Sequence, residues 1–220
     1  MIHRTDVGGL PAARNVLLQS STADIVCFLD DDVDVARDFG TILMRLATSE
    51  PMMSGWGPVV ETRGRWKRRL HRLAQMGAMH DPRRLLARRC DRSTSALFGC
   101  CFAVRRLAAI ETGFDARRGG YALGEDLDFF LRLRQPLRFV TALTAIHRRD
   151  GHDRSDADAR GRQKARFLLW LARAHGGRNP ATPLHLGLAL MAAASGRGDE
   201  PASTRAVLAA IVRRPHGRMT

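Results

Sequence analysis

The chain has 220 residues, enough for one domain with a full hydrophobic core, and its apolar fraction of 45% is that of an ordinary globular protein. The formal net charge of +14 at pH 7 is unusually high, and such a surface attracts nucleic acid, anionic lipid headgroups or diphosphate substrates. The longest apolar helical segment, residues 184–194, is far short of the ~20 residues that cross a bilayer, so we expect no membrane-spanning helix.

The cysteines and the N-terminal residues predict the cellular compartment. The chain has four cysteines, at Cys27, Cys90, Cys100 and Cys101. They lack the spacing of metal ligands and are predicted to be reduced and buried, as in a cytosolic protein. Asp6 and the pair Gly8-Gly9 interrupt any apolar stretch of the kind that a signal peptide has, so we expect a cytoplasmic protein.

The first predicted elements are a helix and a strand. The helix runs from Pro11 to about Ser20, because proline is tolerated in the first helical turn, where its missing N–H costs nothing. The run Ile25–Leu29 contains only apolar residues and is bounded by aspartates. This pattern predicts a central parallel strand that is buried on both faces.

Three consecutive carboxylates, Asp30, Asp31 and Asp32, follow that strand. Ligands of open α/β sheets bind at the carboxyl ends of the strands, and three adjacent acids repel one another, so a divalent cation is the simplest neutraliser. An acidic turn in which Asp34 caps a helix beginning near Ala36 explains the same residues. The residue pattern alone leaves both interpretations open.

An amphipathic helix and a basic segment occupy the middle of the chain. Apolar residues spaced i, i+3, i+4 and i+7 from Phe39 predict a helix that ends before Pro51, and a strand is predicted over 52–60. Arginines are interleaved with Trp66 and leucines in residues 61–92, the composition of a helix lying on an anionic membrane. A solvated basic loop has the same composition.

Acidic residues open a later predicted helix. A strand over 95–104 and a helix from Arg105 to before Gly113 precede a glycine-rich loop, which delivers Glu125 and Asp126 into the first turn of the next helix. The helix dipole alone favours acids there. The predicted buried face of this helix comprises Leu127, Phe130, Leu131 and the stem of Arg134.

The last predicted strands and helices carry one residue of interest, His147. A strand is predicted over 137–142, and a further apolar segment ends at this lone histidine. A helix is predicted over 158–174, and two further, weakly apolar helices, over 184–194 and 203–213, are predicted to pack against the domain or to contact lipid.

Six motifs occur in a fixed order along the chain. They are Gly-Leu-Pro-Ala-Ala-Arg-Asn at 9–15, the strand and acids at 23–32, Gly-Cys-Cys-Phe-Ala-Val-Arg-Arg at 99–106, Gly-Phe-Asp at 113–115, Gly-Glu-Asp-Leu-Asp at 124–128, and His147. In this order they resemble the family 2 glycosyltransferases of the GT-A fold, over roughly residues 7–175.

The resemblance implies an α/β fold with a mostly parallel, GT-A-like sheet flanked by helices. Residues 1–150 correspond to the glycosyltransferase domain and residues 151–220 to a C-terminal helical extension. Family members begin with two further strands that form much of the nucleobase pocket. Because this sequence has no counterpart of them, we expect either a start upstream of Met1 or a truncated gene product.

The resemblance also assigns roles to the site residues. The family's Asp-x-Asp motif corresponds to Asp30–Asp32, in which Asp32 contacts a divalent metal while Asp30 and Asp31 bind the nucleotide sugar. The catalytic Glu-Asp motif corresponds to Glu125 and Asp126, with Asp126 as the general base. The remaining assignments are His147 as a second metal ligand and Arg14 and Asn15 as neighbours of the nucleotide.

The implied reaction is metal-dependent transfer of a sugar, with inversion, from a nucleotide-diphosphate donor to a hydroxyl of a glycan or lipid-linked acceptor. The cofactor is Mn²⁺ or Mg²⁺, and an imidazole ligand favours Mn²⁺. A role in cell-envelope polysaccharide biosynthesis, at the inner face of the cell membrane and without nucleic acid, follows from the same resemblance.

Two other functions fit parts of the sequence. Haloacid-dehalogenase-like phosphatases also place Asp-x-Asp after an apolar strand, as in residues 28–33, but they require a catalytic lysine, and the only lysines, Lys67 and Lys164, lack a fitting context. A non-catalytic protein that binds nucleic acid or membrane through residues 61–92 accounts for the charge, although Trp66 is the only aromatic residue there for base stacking.

Overall fold

The computed structural model of the protein describes residues 8–61, 91–94, 96–117 and 124–148, together with Phe167 and Trp170. The four described ranges lie in one compact unit, and Phe167 and Trp170 lie in a second. Both of these aromatic residues are helical, and their rings stack with centroids 6.2 Å apart. The basic segment, the rest of the predicted helix 158–174 and the two later helices are outside the described residues, so the division at residue 150 stays a prediction.

The described ranges contain both helices and strands, which confirms the mixed α/β class. The elements are α1 (Leu10–Ser20), β1 (Ile25–Leu29), β2 (Val33–Val35), α2 (Phe39–Ser49), β3 (Gly55–Glu61), β4 (Arg92–Thr94), β5 (Cys101–Arg105), α3 (Arg106–Thr112), α4 (Glu125–Leu133) and β6 (Leu137–His147). None of these helices is long and apolar enough to cross a bilayer.

The strands form one mixed sheet in the order β1-β5-β3-β6-β2, with β4 also paired to β6. Only β3 and β6 pair in parallel; the other described pairs are antiparallel. The prediction of a mostly parallel sheet is therefore wrong in this detail. An apolar run reports that side chains are buried but carries no information on the direction of the neighbouring strand.

The position of β1 also differs from its prediction. The only described strand that pairs with β1 is β5, so β1 lies at an edge of the described sheet rather than at its centre. Phe28 is buried, whereas Leu29 is 48% exposed and Cys27 is exposed. Five consecutive apolar residues do not distinguish a strand covered on both faces from one covered mainly on one face.

Helices cover both faces of the sheet. On one face, Phe39 and Leu43 of α2 pack into a core with Trp56 and with Cys101 and Ala103 of β5. Alternate residues of a strand point to opposite faces, so Phe102 of β5 lies on the other face. There its ring contacts those of Phe28, Phe129 and Phe130. The middle of β5 is thus fully enclosed.

Two local predictions need correction. Asp34 does not cap a helix, because it lies in β2 opposite Ile146 of β6, and α2 begins only at Phe39. The buried face of α4 includes Phe129 and Leu133, while Arg134 is exposed beyond the end of the helix. The predicted face differs from the observed one because the apolar residues of this short helix, 127, 129–131 and 133, cover most of its circumference.

Arg105, the last residue of β5, fixes the C-terminal end of α2. Its guanidinium donates hydrogen bonds to the carbonyl oxygens of Ala47 (2.9 Å), Glu50 (3.2 Å) and Met53 (2.7 Å), and it lies 5.3 Å from the centre of the Trp56 ring. The last carbonyl groups of a helix have no partner within the helix, and a cation there also interacts favourably with the helix dipole. This contact joins the middle of the sheet to α2.

Replacing Arg105 by methionine is expected to lower the free energy of unfolding by about 2–4 kcal/mol, because several carbonyl groups lose a charged donor. Arg45→Met is the matched control, since Arg45 is exposed on α2, and we expect it to change stability by less than about 0.5 kcal/mol. Urea denaturation of both variants measures the difference. Equal effects of the two substitutions would contradict the assigned role of Arg105.

Candidate active site

The acidic turn lies where β1 and β2 meet β5 and β6. The backbone N–H of Asp30 donates to the carbonyl oxygen of Cys100 (3.0 Å), and the N–H of Val33 donates to the carbonyl oxygen of Asp30 (3.2 Å). Asp31 is exposed in this turn. The carbonyl oxygen of Asp32 accepts a hydrogen bond from the N–H of Arg148 at 2.8 Å. Backbone hydrogen bonds therefore hold both ends of the turn.

Asp32 and His147 contact each other through their side chains. Nε2 of His147 lies 2.9 Å from Oδ2 of Asp32, and both side chains are partly exposed. The contact follows from strand register, because Val33, the residue after Asp32, pairs with His147. An outer ion pair between Asp34 and Arg148 flanks it. A carboxylate oxygen and an imidazole nitrogen thus converge at an accessible position.

Asp126 lies next to the loop that binds the acidic turn. It is half-buried in the first turn of α4, which begins after Gly124, a residue in the left-handed region at φ 77°. The Asp126 carboxyl packs on the Cα of Gly99, where a Cβ atom would lie 2.5 Å from Oδ2 of Asp126. Gly99 precedes Cys100, whose carbonyl oxygen accepts the Asp30 N–H. The 96–100 loop therefore contacts both Asp30 and Asp126.

The acids are close enough to influence one another. Burial raises the pKa of Asp30 above its ordinary value, and the neighbouring Asp32 and Asp126 raise it further, while Arg14 and His147 act in the opposite direction. Burial also raises the pKa of the Cys100 thiol to about 12, with contributions from Asp30 and Asp126. The structure thus brings Asp30, Asp32, Asp126 and His147 into one electrostatic cluster.

Arg14 is inside the protein, and its guanidinium reaches three parts of the site. It is 4% exposed and donates to Oε1 of Glu125 (2.7 Å) and to the carbonyl oxygen of Gly99 (3.1 Å), and it lies 3.7 Å from Oδ1 of Asp30. Glu125 is also buried, at 6% exposure. Arg14 and Glu125, both predicted site residues, therefore contact each other.

Asn15 makes a two-way contact with the backbone of Phe114. Its Nδ2 donates to the Phe114 carbonyl oxygen (2.8 Å), and its Oδ1 accepts from the Phe114 N–H (2.7 Å). The side chain thus joins α1 to the segment that follows α3. Asn15, the residue after Arg14, therefore links two backbone segments in this structure.

Sequence reasoning named Gly99 only as part of a motif and gave it no function. Its importance depends on the absence of a Cβ where α4 packs against the loop, and no local pattern in the sequence reports that contact. Close approach of a neighbouring side chain is one reason for which a position requires glycine.

Gly99→Ala is expected to displace the Asp126 carboxyl and to lower the free energy of unfolding by about 1–3 kcal/mol, because the added methyl group overlaps that side chain. Gly40→Ala is the control, since Gly40 lies in α2 with open space around its Cα, and we expect it to be neutral or stabilising by up to about 1 kcal/mol. Denaturation curves and crystal structures of both variants measure these effects. An unmoved Asp126 in Gly99→Ala would contradict the packing argument.

Comparison with known proteins identifies the family from a sequence model and the fold from solved structures. The model of the family "Glycosyl transferase family 2" matches residues 1–113. The solved structure of GalNAc-T7 with UDP, GalNAc and Mn²⁺ superposes with a TM-score of 0.51 at 15% identity, covering 89% of this chain and 45% of that one.

The mannosyltransferase PcManGT from Pyrobaculum calidifontis, in complex with GDP-Man and Mn²⁺, gives a TM-score of 0.53 at 18% identity. The match covers 94% of this chain and 60% of that one, so the chain spans about half the length of these relatives. No curated protein matches the sequence. The structures confirm the GT-A-type fold, and the family model, which matches just over half of the residues, shows that the chain belongs to glycosyl transferase family 2.

Proposed function

We propose that the protein is a metal-dependent glycosyltransferase that moves a sugar, with inversion, from a nucleotide-diphosphate donor to a hydroxyl acceptor. The observation that carries the proposal is the cluster of Asp30, Asp32, His147 and Asp126, in which the 96–100 loop contacts both Asp30 and Asp126. Family membership makes sugar transfer the relevant chemistry. The cluster supplies groups for the two tasks of that chemistry, binding a diphosphate and accepting a proton.

Asp32 and His147 are the residues that would hold the divalent cation. Their oxygen and nitrogen atoms already converge at 2.9 Å, and a mixed carboxylate and imidazole donor set suits Mn²⁺ better than Mg²⁺. No group of three or more His, Cys, Asp or Glu residues with the arrangement of a metal site occurs within the described ranges. Diphosphate oxygens and water would therefore supply the remaining ligands, as in many nucleotide sites.

When bound, the cation would neutralise the negative charge that develops on the leaving diphosphate. The protein's own residues bind and orient the donor around that position. Asp30 lies next to the metal ligand and is partly buried, while Asp31 is exposed in the turn. We assign the sugar nucleotide to the acidic turn for this reason, with Asp30 facing the cluster and Asp31 facing the solvent.

Asp126 is the proposed general base. Inversion in a single displacement requires that the acceptor hydroxyl attack from the side opposite the leaving group and lose its proton to a nearby group. The half-buried carboxylate of Asp126, which packs on the same loop that binds Asp30, is the candidate for this group.

The nucleobase, acceptor and cellular setting stay predictions. The GalNAc-T7 structure contains UDP and the PcManGT structure contains GDP-Man, so uridine and guanosine nucleotides are the first donors to test. A glycan or lipid-linked acceptor, peripheral contact with anionic membrane and a cytoplasmic location rest on the sequence argument. Family membership argues against the haloacid-dehalogenase-like alternative, since the same Asp-x-Asp pattern belongs here to a glycosyltransferase.

Asp32→Asn is expected to weaken Mn²⁺-dependent binding of UDP or GDP by about tenfold or more, because the cation loses a charged ligand. Isothermal titration of the wild type and the variant, with Mn²⁺ and with EDTA, measures this loss. Asp34→Asn is the matched control, since Asp34 is two residues away in β2 and pairs with Arg148 at the surface. Tight nucleotide binding by Asp32→Asn that is indifferent to EDTA would refute the metal site.

Asp126→Asn is expected to lower kcat by about 10²–10⁴-fold while leaving Mn²⁺-dependent nucleotide affinity nearly unchanged, because the base acts on the acceptor and not on the donor. Release of UDP or GDP from a panel of nucleotide sugars, followed by coupled detection, gives the rates. Retention of full turnover by this variant would assign the base to another residue.

A further inference from the structure

The buried arginine Arg14 combines features that a residue at the nucleotide would not need. Its side chain is 5% exposed, although arginine is almost never fully buried unless it is paired. Three phenylalanine rings, those of Phe28, Phe102 and Phe114, lie 5.4–5.5 Å from its guanidinium carbon. A charge in such an apolar setting is retained only where its partners are fixed.

The partners of Arg14 belong to three separate segments of the site. Glu125 is in the first turn of α4, Gly99 is in the loop before β5, and Asp30 is at the end of β1. Arg14 itself is on α1. One guanidinium on the helix behind the site therefore ties together the segments that meet around the acidic cluster, with its shortest bond, 2.7 Å, to Glu125.

Two of these partners adjoin Asp126 directly. Glu125 is its neighbour in the helix, and Gly99 provides the surface on which the Asp126 carboxyl packs. The hydrogen bonds from Arg14 to Glu125 and to the Gly99 carbonyl oxygen fix the position and orientation of the first turn of α4. A planar guanidinium with several donors is suited to this, because it can bind two acceptors at once in a fixed geometry.

We propose that Arg14 is a positioning residue that acts through Glu125: the pair fixes the turn so that the Asp126 carboxylate faces the donor side of the cluster. Neither Arg14 nor Glu125 contacts the substrate. This assignment replaces the roles implied by the family resemblance, which placed Arg14 beside the nucleotide and Glu125 among the catalytic groups. It rests on the proposed function, because it takes Asp126 as the base.

The test is a double-substitution series. Arg14→Met and Glu125→Met each remove one half of a buried ion pair and are expected to lower Tm markedly. The double variant Arg14→Met/Glu125→Met is expected to recover most of the loss, since apolar residues can replace a buried ion pair. Arg45→Met, an exposed arginine on α2, is the control with unchanged Tm and turnover. Arg14→Lys keeps the charge but not the planar geometry, and we expect intermediate turnover.

Two readouts on the double variant distinguish positioning from nucleotide binding and from a purely structural role. We expect Mn²⁺-dependent affinity for UDP or GDP to stay within about threefold of the wild type and kcat for nucleotide-sugar turnover to fall by about 10²-fold, because a displacement near 1 Å has that effect. A loss of nucleotide affinity would place Arg14 at the nucleotide, and unchanged kcat would make the pair structural only; either result overturns the inference.

The wild type separates this inference from the proposed function. If it binds neither UDP nor GDP in the presence of Mn²⁺ and releases neither from any nucleotide sugar, the proposed function fails and the inference fails with it. If the wild type is active and only the double variant departs from expectation, the inference alone is wrong.

Discussion

Mutual repulsion among carboxylates is the constraint on which the arrangement of this protein depends. Asp30, Asp32 and Asp126 lie near one another, and Glu125, the residue before Asp126, is buried. Such a group is stabilised when positive charges or hydrogen-bonding partners are placed among its members. In this structure Arg14 lies inside, against Glu125 and near Asp30, and His147 lies at the surface, against Asp32. Elements that come from distant parts of the chain are held together by these compensating contacts.

The two partners differ in their exposure. The guanidinium of Arg14 is enclosed among three phenylalanine rings and fixes the inner contact. The imidazole of His147 is partly exposed beside Asp32. The enclosed partner gives the cluster its shape, and the exposed partner leaves the outer side of the cluster accessible to solvent.

Much of the fold could be predicted from local patterns, because those patterns are set by burial and chain geometry. The bounds of β1 and the ends of α1, α2 and α3 follow from apolar periodicity, prolines and glycines. The direction of strand pairing could not be predicted, since it depends on which segments meet in space. For the same reason the motif order pointed to the acidic residues and His147, but the burial of Arg14 and the packing of Gly99 on Asp126 had no signature in the sequence.

His147 is the last residue of β6, the longest of the described strands, and its position depends on residues far from the site. The strand begins at Leu137 in the core, pairs in parallel with β3 across an irregularity between Pro58 and Val59, and ends at the histidine opposite Val33. Successive side chains of a regular strand alternate between faces, so the residue count between Thr144, where regular pairing with β3 resumes, and His147 determines which face the imidazole occupies. Loss or gain of a single residue in this last part of β6 would turn the ring away from Asp32 without altering either amino acid, so selection on this site extends to the spacing of residues that never touch a ligand.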